Sequence, residues 1–191
     1  MPKVSDDHRQ AQSDRFVDAA RRCFTRLGVE GTSMENIRTE AGVSAGLMYR
    51  YFASKDDMIR AAITGSMAEF ETLATEVGLD ESTSGLDFLR SLLEKLRQFR
   101  CHTEGVDLFR LAVQGWAHAQ TRPETQAVVT ASFARQLEIF RRAATRWTTP
   151  TRADDAARAV AAAVAGYIVL SAFNPVDIDV DTYCAGLGAL A

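Results

Sequence analysis

"AGVSAGLMYRYFASKDD", residues 41–57, reads as two short helical pieces set about a glycine and a serine. It gathers two tyrosines, an arginine and a lysine in a segment too short to bury them all. Gly42 suits a turn that ends one helix, and Ser44 suits the position before the next. Met48 and Phe52, one turn apart, lie on one side of that next helix. Two helices joined by a three- or four-residue turn have the helix-turn-helix layout, whose second helix enters the major groove and offers its first residues to base edges. Ala45, Gly46, Leu47, Tyr49, Arg50 and Tyr51 are left over, with small side chains first, where a duplex backbone can approach closely.

The flanking sequence supports that reading. Upstream, Phe16, Ala20, Phe24 and Leu27 recur at steps of four, four and three, and Gly28 closes this first helix. The spacing predicts a second helix from Thr32, with Thr32-x-x-Glu35 as a capping box and Met34, Ile37 and Ala41 inward. Ser54-x-x-Asp57 opens a longer fourth helix carrying Met58, Ile63, Met67, Phe70 and Val77 on its apolar face. "GLDESTSG", residues 78–85, breaks the pattern. Further helices are expected from Leu86 to Phe99, Val106 to Ala119, Pro123 to Trp147 and Ala153 to Phe173, the last stopped by Asn174-Pro175, with a short one over 182–190. No useful stretch alternates with the period of a strand. The expectation is an all-α chain.

Composition narrows the function. The formal charge is −3 and the pI about 5.7, so any nucleic-acid contact must be local. Residues 1–60 hold ten Lys/Arg against nine Asp/Glu, and the remainder holds twelve against sixteen. This asymmetry favours the N-terminal part as the anion-facing one. Cys23, Cys101 and Cys184 are odd in number and far apart, which argues against a disulfide framework. The opening "MPKVSDDHRQAQSDR" is too polar for a signal peptide. The apolar run from Ala159 to Phe173 is shorter than the roughly 17–25 residues of a spanning helix. A cytoplasmic protein without a membrane partner is expected.

"GTSMENIRTEAGVSAGLMYRYFASKDDMIRAAI", residues 31–63, resembles the DNA-binding signature of TetR-family transcriptional regulators, and the resemblance extends over about residues 13–63. It implies an N-terminal three-helix helix-turn-helix DNA-binding domain, residues 1–53. A long fourth helix would join it to a helical ligand-binding and dimerisation domain, residues 54–191. By resemblance, Ser44, Ala45, Gly46 and Leu47 stand at base-reading positions, while Tyr49, Ser33 and Lys55 stand at phosphate positions, with Arg50 and Tyr51 flanking Tyr49. Many members carry a polar or basic residue where this chain has Ala45, and often threonine where it has Leu47. Apolar groups there read only a thymine methyl or a shape, which leaves Arg50 as the candidate for a guanine or for another phosphate.

The resemblance also implies an inducer pocket, a homodimer and a double-stranded operator. Phe99, Phe109, Val113, Trp116, Phe133, Phe140 and Tyr167 are candidate pocket residues, with His118 and Gln114 as polar neighbours, although core packing accounts for such aromatics equally well. Ala161, Ala165, Tyr167, Leu170 and Phe173 are candidate dimer contacts, because small side chains let helix axes come close. Arg9, Arg15, Arg21 and Arg22 alternate with Asp14 and Asp18 and read as surface ion pairs. Cys101 and His102 have no second pair at a ligand spacing, so no metal or other cofactor is expected. No catalytic motif occurs, and an enzyme is not expected. The expected function is a ligand-responsive regulator, most simply a repressor released by a small apolar or amphipathic inducer. The alternative is a helical small-molecule binding protein without specific DNA binding.

Overall fold

Helical periodicity governs the whole of residues 6–79, 84–174 and 178–190, which the computed structural model describes and which contain no strand. The helices are α1 (Asp6–Leu27), α2 (Met34–Ala41), α3 (Ala45–Tyr49), α4 (Lys55–Leu79), α5 (Gly85–Phe99), α6 (Leu108–Ala119), α7 (Pro123–Ala144), α8 (Ala153–Phe173) and α9 (Val180–Gly188). A single 3-10 turn at Pro150–Arg152 precedes α8. Of the expected break at 78–85, Gly78 and Leu79 belong to α4 and Gly85 to α5, while 80–83 lie outside the described residues, as does Pro175.

Local chemistry explains the ends. The second helix is capped one residue later than expected, by Ser33, whose hydroxyl accepts from the Asn36 N–H while the Asn36 side chain accepts from the Ser33 N–H. Thr32 is buried instead, and its hydroxyl donates to the Gly28 carbonyl at 2.7 Å. Ser54 caps α4 as expected, accepting from the Asp57 N–H at 3.1 Å. Helix α6 begins later than expected, after Asp107, whose carboxylate accepts from the N–H groups of Phe109 and Arg110. Helix α7 ends at Ala144, and Trp147 turns back to stack on Phe88 at 5.2 Å between ring centroids.

Two apolar clusters result. One, the head, is built by Phe16, Phe24, Ile37, Met48, Phe52 and Ile59 from α1 to α4, and it takes in Val106, Leu108 and Leu111 at the start of α6. The other, the body, gathers Phe88, Leu92, Phe109, Phe140, Tyr167 and Cys184, with α7 packed along both α4 and α8. The arginine row of α1 differs from expectation. Arg21 is buried, bonded to Glu69 of α4 at 3.0 Å, and Gly65 makes room for it, since a Cβ there would lie 2.7 Å from its guanidinium.

The apolar segment is longer than the sequence suggested. The uncharged run 159–173 belongs to the longer helical stretch Pro150–Phe173, which by length and composition is long and apolar enough to cross a membrane. In this fold one side of α8 packs against α6 and α7, while Ala159, Ala162, Val169, Leu170 and Phe173 remain exposed on another.

Candidate functional site

The turn between α2 and α3 is made by backbone geometry and one arginine. Gly42 adopts φ 67°, ψ 37°, and its N–H reaches the carbonyls of Arg38 and Thr39. The left-handed region is open to glycine at little cost. Arg38 closes the corner from below, donating to the Val43 carbonyl at 2.8 Å while Glu35 holds its other edge. The rear of α3 is anchored by Met48, fully buried, with Phe52 just beyond; Phe16 meets the rings of Tyr51 and Phe52 edge-on at 5.3 and 6.5 Å.

The outward side of α3 carries Ser44, Ala45, Gly46, Tyr49 and Arg50, all exposed, and Tyr49 is 54% exposed. Ser44 precedes the helix without a side-chain capping bond. Ser33 is also exposed at the start of α2, although its hydroxyl is engaged with Asn36. Three candidates sit differently from expectation. Leu47 is half-buried against the head cluster, because it lies one residue from Met48 on a helix barely longer than one turn. Tyr51 has its ring committed to Phe16. Lys55 is not an outstretched arm: its ammonium donates to the carbonyls of Val29 at 3.1 Å and Glu30 at 3.4 Å. An ammonium has three donors, so one remains.

Ion pairs brace this face from behind. Glu40 of α2 takes Arg22 Nε at 2.7 Å and Arg26 Nη2 at 3.1 Å, and the hydrogen bonds from Arg22 and then Arg26 hold its carboxyl below the usual range.

A cavity lies behind the head, with about 1030 Å³ of open space including its mouth. Phe99, Phe109, Trp116, Phe133 and Phe140 line it; Val113 and Tyr167 do not. On α6 the cavity face runs through Ala112, Gly115 and Trp116, which turns Val113 toward the body cluster. Tyr167 is buried between Phe109 and Tyr183, its hydroxyl donating to the Ile178 carbonyl at 3.0 Å. At 1% exposure it is no surface for a second copy either. Ala161 and Ala165, expected at a dimer face, line the cavity instead. The lining also includes residues the sequence did not single out for it: Phe24 of α1 and Val29 just after it, Ile59, Ile63, Ser66 and Phe70 of α4, and Gln136 of α7. Thus α4 meets the cavity along its first half and middle, from Ile59 to Phe70.

The expected polar neighbours join elements rather than line the cavity. Gln114 accepts from the Val29 N–H at 2.7 Å and reaches the Phe24 carbonyl at 3.4 Å, closing the end of α1 from α6. His118 stands between Glu30 and Asp56, 3.7 and 3.8 Å from their carboxylates. At the other end of α6, burial works to raise the Asp107 carboxyl, but its bonds from Arg100 and from the Arg110 N–H carry it below the ordinary value.

This combination, an outward short helix on a three-helix head over a helical body, defines a helix-turn-helix DNA-binding transcriptional regulator. Residues 16–62 match the family of bacterial regulatory proteins of the tetR type. The chain is 28% identical over 148 residues to the HTH-type transcriptional repressor Rv1474c of Mycobacterium tuberculosis, covering 74% of each. It is 35% identical over 86 residues to the HTH-type transcriptional regulator YfiR of Bacillus subtilis, a match spanning 45% of this chain and 36% of that one. A TetR transcription regulator from Haloarcula marismortui shares the fold at TM-score 0.77 and 16% identity, over 95% of this chain and 97% of that one. A candidate regulator from Saccharomonospora viridis in complex with choline does so at TM-score 0.72 and 17% identity, over 95% of each. Residues 16–62 thus carry the tetR-type DNA-binding region, and the relatives matched are named as HTH-type transcriptional regulators.

Proposed function

We propose that this regulator is a homodimeric repressor that holds a palindromic operator through α3 and is released by a small apolar or amphipathic inducer. The observation that carries the ligand half is the shared wall of the cavity: Phe24, Val29 and Ile59 of the head and Phe133, Phe140 and Ala165 of the body line one space. A molecule held there touches the elements that aim α3. The choline complex supports the reading to the extent that a protein of this fold holds a small molecule.

In this reading residues 1–53 grip DNA and 54–191 bind ligand and pair the subunits. Ser44, Ala45, Gly46 and Leu47 meet the bases, Tyr49, Ser33 and Lys55 meet phosphates, and Arg50 takes a guanine or a further phosphate. The exposed row Ala159, Ala162, Val169, Leu170 and Phe173 replaces Ala161, Ala165 and Tyr167 as the pairing face. Twofold pairing sets two α3 helices about 34–36 Å apart on DNA, one helical repeat. An inducer acts by preferring a form in which that distance is wrong; equal affinity for both forms would release nothing.

The test is fluorescence anisotropy on a duplex selected from a random-sequence library, titrated with ligand. Wild type should lose affinity as ligand is added, and Ala165→Phe, which fills the cavity from the body side, should lose that response. Ligand binding that leaves DNA affinity unchanged overturns the proposal.

A further inference from the structure

The cavity has a polarity. Among the described residues, the side chains lining it include no Lys, Arg, His, Asp or Glu, and beyond the Trp116 indole the polar ones are Ser66 and Gln136. Gln136 is 8% exposed and sits between Phe133 and Phe140 on the cavity side of α7. Its orientation follows from the groups behind it. The Glu71 carboxylate of α4 accepts from Arg135 Nε at 2.9 Å and from Ser132 Oγ at 2.5 Å. An ionised carboxylate only accepts, so the single proton of the Ser132 hydroxyl is spent there. Toward Gln136, 3.4 Å away, Ser132 Oγ can therefore only accept, and the amide must offer it N–H. The reverse orientation would set two lone-pair oxygens against each other. Among the described residues no donor reaches Gln136 Oε1, on a side chain that lines the cavity.

We propose that the inducer is an uncharged, largely apolar molecule bearing an O–H or N–H donor, which it delivers to Gln136 Oε1. This rests on the ligand-responsive reading above and narrows it to a chemistry. A carboxylate entering this space would shed its hydration without a partnering cation and would face an acceptor. A quaternary ammonium would find aromatic faces but supply no N–H. An ether or ketone of the right size would leave Oε1 unpaired, which costs binding. Ser132 is a positioning residue: it does not line the cavity, but it dictates which end of the amide does.

The experiment is calorimetric titration of the full chain with two probe ladders of matched skeleton. One is 2-naphthol, 2-methoxynaphthalene and 2-naphthoate; the other is decanol, its methyl ether and decanoate. On the skeleton that fits, the hydroxyl member should bind at least about tenfold tighter than its ether, with the carboxylate weakest. Gln136→Leu should abolish that preference while the ether still binds. Ser132→Ala, by freeing the amide to rotate, should narrow the preference and improve the ether, a change that loss of packing would not produce. Thermal midpoints identify a variant that fails to fold, and the wild-type ladders stand without it. An ether equal to the hydroxyl, or a carboxylate bound tightest, overturns the proposal. Binding by no member overturns it too. Hydroxyl-selective binding that leaves operator affinity untouched upholds the pocket chemistry and instead sinks the ligand-responsive reading.

Discussion

Tyr49 and Arg50 are exposed side by side, and in the proposed reading their side chains offer DNA different things. A phenol on a phosphate positions the protein without reading sequence, so Tyr49→Phe is expected to weaken every duplex alike, by about 1 kcal/mol. A guanidinium on guanine discriminates, so Arg50→Ala should relax preference at one base pair; anisotropy on single-base operator variants measures both, and uniform weakening would assign Arg50 to a phosphate. Glu40 makes a prediction about acid. Its carboxyl is held below the ordinary value of 4.5 by Arg22 and Arg26, so its contribution to stability is complete above that value and is lost as pH falls through the lower, folded one. Glu40→Gln should flatten the acid limb of the stability profile, read as denaturation midpoint against pH between about 5 and 2. Neither partner of that triad is a sequence neighbour of Glu40, and its spacing from Arg22 and Arg26 announced nothing. The exposed character of Tyr49 and Arg50 was legible, because Met48 and Phe52 had already claimed the inner side.

At the scale of elements, the α2–α3 turn stands on Gly42. No atom lies within 4 Å of where its Cβ would be, so Gly42→Ala meets only the strain of positive φ. That strain costs about 1–2 kcal/mol and should lower the denaturation midpoint with an unchanged slope. Helix α6 makes the complementary case. Gln114→Ala removes the acceptor of the Val29 N–H and a second donor to the Phe24 C=O, which keeps the Gly28 N–H at 2.9 Å. The variant should still bind cavity ligands by calorimetry but transmit them poorly, so that ligand shifts DNA affinity less than in wild type. The helices themselves were readable from period 3.6, since every one buries a stripe. Single-residue registers were less so: Thr32 and Ser33 both suit a cap, and the choice was made by Gly28, whose carbonyl takes the Thr32 hydroxyl. Arg21 and Lys55 escaped the sequence for a related reason. Their partners, Glu69 and the carbonyls of Val29 and Glu30, are brought near only by the packing of α1 against α4.

For the molecule as a whole, the exposed row on α8 predicts assembly. Phe173 is 75% and Leu170 52% exposed, a costly arrangement for an unpaired helix. Leu170→Glu combined with Phe173→Glu should yield monomers by sedimentation velocity and sharply reduce affinity for a full operator, with little loss on a half-site. The alanine-rich helix offers small side chains on more than one side, and composition alone does not say which side faces the cavity and which faces out. The cavity was likewise only half legible: the body aromatics stand out in the sequence, whereas Phe24 and Val29 read as ordinary members of a three-helix head. Their double membership bears on anyone who wishes to retune such a sensor. Swapping Phe24 or Val29 to admit a new chemical would also alter the thermal tolerance of the DNA reader, since the same rings and methyls serve both. Phe133 and Ala165, on the far wall, can be exchanged with the reader left intact, and a biosensor library belongs there.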